Sequence, residues 1–222
     1  SYSKKDIPRF NLKLAGEFNR ENAAAAAKIA EISGISPEII KKTLESIEQI
    51  PGRMEEINEG QPFKVVVDYA HTPDSLEKVY QTLLRSLAPK SGKLICVLGA
   101  AGGGRDKWKR PEMGKIAAEY CDEIILTNED PYDENPVSIL EQIEKGFPRI
   151  QNPKYEILNY EKIIDRKEAI KKALGKAREN DAVIITGKGC EQWMMLANGK
   201  KIKWNDREIV KNILSEKPNR FR

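Results

Sequence analysis

From Pro62 onward the apolar positions of the chain change period at regular intervals. The segments PFKVVVDYA (62–70), KLICVLG (93–99), DEIILT (122–127), YEILN (155–159) and DAVIIT (181–186) are short, β-branched and almost continuously apolar. That is the pattern of strands covered on both faces. Between the first two, PDSLEKVYQTLLRSL (73–87) sets Leu76, Val79, Leu83 and Leu87 three and four residues apart, which predicts one apolar stripe of a helix. DKWKRPEMGKIAAEYC (106–121), NPVSILEQIEKGF (135–147) and DRKEAIKKALGKAREN (165–180) read as helices too. Strands alternating with helices of this length predict βαβ units, hence an α/β fold: a Rossmann-like, mostly parallel sheet with helices on both faces. GKKIKWNDREIVKNIL (199–214) adds a short strand or hairpin, an Asp-led turn and a last helix.

The amino-terminal part has a different texture. FNLKL (10–14) alternates and is followed by Gly16, which predicts the last strand and turn of a unit begun earlier. NRENAAAAAKIAEI then predicts a helix with Asn19 as its cap and Gly34 at its end. A second helix, SPEIIKKTLESI, opens with Ser36 as cap, Pro37 at the first helical position and Glu38 in the first turn. PGRMEEINEGQP (51–62) combines two glycines, two prolines and charges, so a domain boundary is expected near Pro51.

Composition removes several function classes. Thirty-eight basic and 34 acidic residues give a net charge of +4 spread along 222 residues, with no basic block, so no nucleic-acid partner is expected. There is no apolar run of about 18 residues and no leader segment, so membrane insertion and secretion are not expected, and the chain reads as cytoplasmic. Cys96, Cys121 and Cys190 are too widely spaced for a disulfide framework or a zinc pattern. A single histidine, His71, excludes two-histidine metal sites, and no metal ligand is assigned.

Open α/β sheets hold ligands beyond the carboxyl ends of their strands. Four such segments are polar or glycine-rich here. In GAAGGGRDKWKRP (99–111) the glycines allow close backbone approach, and Arg105, Lys107, Lys109 and Arg110 offer cations for phosphate or carboxylate. TNEDPYDENP (127–136) crowds Glu129, Asp130, Asp133 and Glu134, a density that calls for an amine or a metal as partner. TGKGCEQW (186–193) exposes amides at Gly187 and Gly189 and offers Glu191 to an amine, while Cys190 is expected to be a buried structural thiol. In DYAHTPDS (68–75) Asp68 can accept from ribose hydroxyls, His71 is expected to be a packed side chain, and Thr72-Pro73 can start the next helix.

GEFNRENAAAA, PGRMEEI, VVVDYAHTPDSL, GAAGGGRDKWKRPEMG, TNEDPYDENP, DRKEAI and GKGCE, in that order, resemble the ATP-dependent Mur ligases. Within that family they resemble the UDP-N-acetylmuramoyl-tripeptide synthetase branch, which adds the third residue of the peptidoglycan stem peptide. The resemblance implies that residues 1–51 are the tail of the central ATP-binding domain and 52–222 the carboxyl-terminal, amino-acid-binding domain. It implies ATP and Mg2+ as cofactors, and UDP-MurNAc-dipeptide and a free amino acid as partners of a full-length, monomeric ligase. By the same resemblance Asn19 and Asn22 lie near the adenine, Arg53 and Asp68 at the ribose and phosphates, and His71 on the nucleotide wall. Arg110 is expected to hold the incoming α-carboxylate, and Glu191, beside Gly187, to receive a side-chain amine. The phosphate loop has no counterpart, so no catalytic residue is assigned and the chain alone is expected to be inactive.

Two departures carry expectations. Glu129, Asp130, Pro131 and Tyr132 stand where diaminopimelate-selecting members resemble Asp-Asn-Pro-Arg, so L-lysine or a similar diamine is expected in preference to meso-diaminopimelate. Cys190 replaces a histidine of the Gly-Lys-Gly-His-Glu loop. Two alternatives stay open: a non-catalytic nucleotide or amino-acid-binding module, and a cyanophycin- or folyl-polyglutamate-type ligase.

Overall fold

The computed structural model describes residues 10–87, 91–148 and 159–216. They fall into two compact units that divide between Ile50 and Pro51. The first holds α1 (Glu17–Ile32) and α2 (Pro37–Ser46). Gly16, at φ 95°, caps α1, and the Asn19 amide closes the first turn on the Gly16 carbonyl at 3.1 Å. Asn19 is therefore not the cap that the sequence predicts. It lies inside the helix, buried, and its Nδ2 donates to the Ala15 carbonyl at 2.6 Å.

The other end of α1 is a Schellman motif: the Gly34 amide donates to Glu31 O and the Ile35 amide to Ala30 O, both at 3.0 Å, with Gly34 at φ 83°. The predicted strand over 10–14 does not form among the described residues. That segment runs without a ladder, and the Asn11 amide donates to the Glu45 carboxylate at 2.9 Å instead. At α2, Ser36 accepts the Ile39 amide and Pro37 takes the first position, as its sequence predicts. Ser36→Ala is expected to cost about 1 kcal/mol, read as a lower urea midpoint of the helical signal.

The second unit is built on a six-stranded sheet in the order β1-β2-β6-β3-β4-β5. Its strands are β1 (Glu55–Glu56), β2 (Lys64–Asp68), β3 (Leu94–Leu98), β4 (Glu123–Leu126), β5 (Asn159–Lys162) and β6 (Ala182–Thr186). β1 is antiparallel to β2, and every other pairing is parallel. The helices are α3 (Pro73–Leu87), α4 (Lys109–Tyr120), α5 (Pro136–Glu144), α6 (Arg166–Lys176) and α7 (Asp206–Glu216). A hairpin of β7 (Trp193–Met195) and β8 (Lys201–Lys203) precedes α7.

Burial explains the layers. Val65, Val67, Ile95, Val97, Ile125, Val183 and Ile185 share one core with Ile170, Ala173 and Leu174 of α6 and Val210, Ile213 and Leu214 of α7. Alternation turns Val66, Cys96, Leu98, Ile124 and Ile184 to the opposite face. There Leu76, Val79, Tyr80 and Leu83 of α3, Met113 and Ala117 of α4, and Ile139 and Ile143 of α5 are buried. Each valine, leucine, isoleucine or methionine among them contributes roughly 1.5–3 kcal/mol on burial, so the continuous apolar runs commit the strands to the interior. At Gly114 a Cβ would stand 2.0 Å from the Ile143 carbonyl, so α4 and α5 pack with backbone nearly touching.

Of the predicted strand YEILN, residues 155–158 lie outside the described residues, and the strand seen there is Asn159–Lys162. β1 and the first arm of the hairpin were not predicted. β1 is only two residues long, and WMM has no alternation to mark it.

Candidate ligand cleft

Strands β2, β6, β3 and β4 are neighbours and parallel, so the loops at their carboxyl ends converge at one edge of the sheet. They enclose a cleft of about 400 Å³ whose lining includes His71, Arg105, Asp106, Lys109, Glu129 and Glu191, with Tyr69, Trp108, Asp130, Tyr132 and Gly187 also in its wall. All four segments singled out in the sequence meet here.

The acidic loop is not the open cluster of charge that its composition implies. Asp130 is held by Lys188, whose Nζ donates to both carboxylate oxygens at 2.8 Å, and it also accepts the Met195 amide at 2.8 Å. Asp133 accepts the Asn198 amide at 2.7 Å. Glu134 receives a two-pronged bond from Arg110 at 2.9 and 3.1 Å, and that guanidinium, with Lys107, holds its carboxyl down at about 2. Three of the four acids are thus consumed by internal cations and amides.

Glu129 is the exception. It is buried, and its Oε2 meets no hydrogen-bond partner among the described residues. Burial pushes its pKa up to about 7, against the pull of Arg166, Lys188 and Lys109. Gly187 lies directly against it: a Cβ there would be 2.3 Å from Oε2, on a backbone at φ 103°. Only glycine leaves the carboxyl its place.

The cations also divide differently from the expectation. Arg110 is not part of the cleft lining in this structure. It is fully buried, and besides Glu134 it donates to Gln142 Oε1 at 2.8 Å and to the Ala101 carbonyl at 2.9 Å. Its two Nη groups are occupied in this way, while its Nε has no partner among the described residues. Arg105 faces the cleft instead, exposed and without an ion pair among the described residues. Beside it Lys109 donates to the His71 carbonyl at 3.1 Å, and Trp108 stands 66% exposed.

On the β2 side the residues expected near a nucleotide are mutually engaged. Asp68 is buried, and its two oxygens accept the Met54 amide at 2.6 Å and the Ala70 amide at 2.7 Å. Burial raises its carboxyl above the ordinary value, with the amides and Arg53 opposing. It therefore presents no open carboxylate to a ribose in this structure. His71 does line the cleft, as a packed side chain. Its Nδ1 lies 2.8 Å from the Tyr69 carbonyl, which can only accept, so Nδ1 carries the proton. The ring meets Tyr69 edge-on at 4.6 Å, and the Arg53 guanidinium lies 4.7 Å from the centre of the same phenol.

Tyr69 also bonds Glu191 through its hydroxyl at 3.2 Å, and Lys188 reaches Glu191 at 2.7 Å. Glu191 enters the cleft as a partnered acid. Asn22, in the first unit, donates to Asn19 at 3.3 Å. Cys190 is exposed, contrary to the buried thiol expected from the sequence, whereas Cys96 and Cys121 are buried. Reading the sequence missed Tyr69, Trp108 and the fixing role of Lys188.

Among the described residues no group of three histidine, cysteine or carboxylate side chains is placed to hold a metal ion. No helix of the described residues is long and apolar enough to cross a membrane.

Comparison with known proteins gives the cleft its context. Residues 52–189 match the family model described as Mur ligase, glutamate ligase domain. A curated relative from Syntrophomonas wolfei, named UDP-N-acetylmuramoyl-L-alanyl-D-glutamate--2,6-diaminopimelate ligase, is 42% identical over 207 residues, covering 93% of this chain and 40% of its own length. A solved structure with the same name is 32% identical with a TM-score of 0.69, covering 98% of this chain and 42% of that one. Folylpolyglutamate synthase from Thermotoga maritima, at 24% identity and a TM-score of 0.55, shares the fold. The chain spans about two fifths of the length of the curated relatives it matches. The first two names specify diaminopimelate, against the expected preference for lysine. Of the two acids that were to attract a bare amine, Asp130 is already held by Lys188, and Glu129 alone has an oxygen without a partner among the described residues.

Proposed function

The chain belongs to the Mur ligase family, and from that premise we propose that it is the amino-acid-receiving part of an ATP-dependent ligase that joins 2,6-diaminopimelate to UDP-N-acetylmuramoyl-L-alanyl-D-glutamate in peptidoglycan synthesis. The observation that carries this reading is the meeting, in one cleft, of the cations Arg105 and Lys109 with Glu129, a buried acid whose Oε2 has no hydrogen-bond partner among the described residues. Arg105 has no ion pair among the described residues, Lys109 gives one bond to the His71 carbonyl, and the exposed acid Asp106 shares the lining with them. An amino acid with carboxylates and amines at both ends matches such a lining better than a diamine does. Guanidinium grips carboxylate with two parallel bonds, and Glu129 supplies the buried acceptor that an ammonium group needs.

In this reading the amine to be joined attacks the carbonyl carbon of an acyl phosphate on the UDP-linked peptide. The neutral amine forms the C–N bond, the C–O bond to phosphate breaks, and the amine's proton leaves with the inorganic phosphate. The cleft contributes by holding that amine in line, an effect that can lower a barrier by several kcal/mol. Residues 10–50 belong, in the same reading, to the nucleotide-binding domain, with Asn19 and Asn22 on the adenine side. ATP phosphates and magnesium need groups that the described residues do not supply.

The test uses the full-length ligase with UDP-N-acetylmuramoyl-L-alanyl-D-glutamate, ATP and a panel of meso-diaminopimelate, lysine and ornithine, with phosphate release as the readout. Diaminopimelate is expected to be used best. Arg105→Ala is expected to raise its KM roughly tenfold or more while leaving the KM for the UDP-linked peptide in place. Lysine turnover matching diaminopimelate, with Arg105→Ala neutral, would sink the reading.

A further inference from the structure

Behind the cleft lies a buried ion pair that touches no open surface. Arg166, at the start of α6, and Asp206, at the start of α7, have fully buried side chains joined by two bonds, Nε to Oδ1 at 2.9 Å and Nη2 to Oδ2 at 2.7 Å. The Trp204 indole N–H fixes Asp206 Oδ1 from the side at 2.8 Å. What remains of the guanidinium is aimed at two backbone carbonyls. Nη2 donates to Thr186 O at 2.8 Å and Nη1 to Asn128 O at 3.3 Å.

Those carbonyls belong to the residues immediately before Gly187 and Glu129, the two groups that touch each other in the cleft wall. A buried, desolvated cation is expensive, and apolar residues would fill the same space at least as stably. The location of its spare donors gives it another use.

We propose that Arg166, oriented by Asp206, is a positioning residue for the substrate amine: it clamps the ends of β4 and β6 so that the Glu129 carboxyl and Gly187 stand in register. This rests on the reading above, in which Glu129 receives an ammonium group. The charged or titratable groups that face Glu129 are Arg166 from α6, Lys188 from the loop after β6, Lys109 from α4 and Asp130 from its own loop, and Tyr69 is within electrostatic range. Arg166 is the strongest of the charges holding Glu129 toward its ionised form. Because the ammonium binds the ionised carboxyl, amino-acid kcat/KM rises with pH through a limb near the Glu129 pKa of about 7. Losing the Arg166 charge moves that limb to higher pH.

The experiment compares three variants of the full-length ligase by amino-acid KM and by the pH profile of kcat/KM, after thermal unfolding has established that each is folded. Arg166→Lys keeps the charge but not the fork, so KM for the amino acid is expected to rise about tenfold or more with the limb in place. Arg166→Met with Asp206→Leu removes both buried charges together, so KM rises and the limb also moves alkaline. In both, KM for the UDP-linked peptide stays within about twofold. A folded double variant that keeps the wild-type KM and limb overturns the proposal. If the double variant does not fold, Arg166→Lys decides, and an unchanged amino-acid KM there overturns it equally. Glu129→Gln separates the two levels: if that variant keeps the wild-type amino-acid KM, the reading of Glu129 fails and takes the proposal with it.

Discussion

Arg110→Ala is expected to lower the stability of the second unit by about 3 kcal/mol, a large share of the 5–15 kcal/mol typical of a domain. Four hydrogen bonds disappear together: two to Glu134, one to Gln142 and one to the Ala101 carbonyl. Breaking a buried pair by removing one partner costs about 3–5 kcal/mol. The lower end applies because Glu134 keeps 21% of its side chain in solvent and retains Lys107 at 3.2 Å. Acid dependence supplies a second readout. Glu134 titrates at about 2 in the folded protein against an ordinary 4.5, so its stabilisation is complete above about 4.5 and is lost as the pH falls toward 2. In Arg110→Ala that acid-side slope should flatten. Urea unfolding at several pH values measures both effects. Wild-type stability combined with a selective rise in amino-acid KM would instead restore the carboxylate-holding role that the sequence assigns to Arg110.

The burial of Arg110 shows what could be read from the chain and what could not. Arg110, Met113, Gly114 and Ala117 are the buried positions of α4, at offsets of three, four and seven residues. A helix-period reading of KRPEMGKIA would have placed Arg110 on the inward stripe and left Arg105 for the cleft. Elsewhere the local signals sufficed. Continuous apolar runs gave the buried strands, their alternation with helices gave parallel pairing, and the strand-end rule brought four separate loops to one cleft.

What resisted reading was pairing across distance. That Lys188 would neutralise Asp130, 58 residues away, depends on β6 entering the sheet beside β3, with β4 next. Nothing in TNEDPYDENP or TGKGCEQ alone announces it. The expected taste for lysine rested on Tyr132 in place of an arginine and on the acids Glu129 and Asp130, and of these Asp130 is the one whose partner, Lys188, comes from the distant β6 loop. Asn19 lost the capping position for a more local reason, because Gly16 can adopt the positive φ that starts the helix earlier.

Gly187→Ala is expected to raise the amino-acid KM of the full-length ligase roughly a hundredfold while leaving the KM of the UDP-linked peptide alone. Two effects combine at this position. The backbone sits at φ 103°, where a side chain costs about 1–3 kcal/mol whatever space surrounds it. The new Cβ would also stand 2.3 Å from Glu129 Oε2 and 2.8 Å from Cδ, so the carboxyl must swing away from the wall. The first effect lowers stability, and the second removes the acceptor from its place, so the two can be separated. Adding Glu129→Asp to Gly187→Ala shortens the acid by one methylene and relieves the contact but not the backbone. Its midpoint should recover only in part, and its amino-acid KM should stay high because the acceptor is then withdrawn rather than displaced. If Gly187→Ala binds amino acid as well as the wild type, the carboxyl is free to move, and the cleft does not depend on where Glu129 is held.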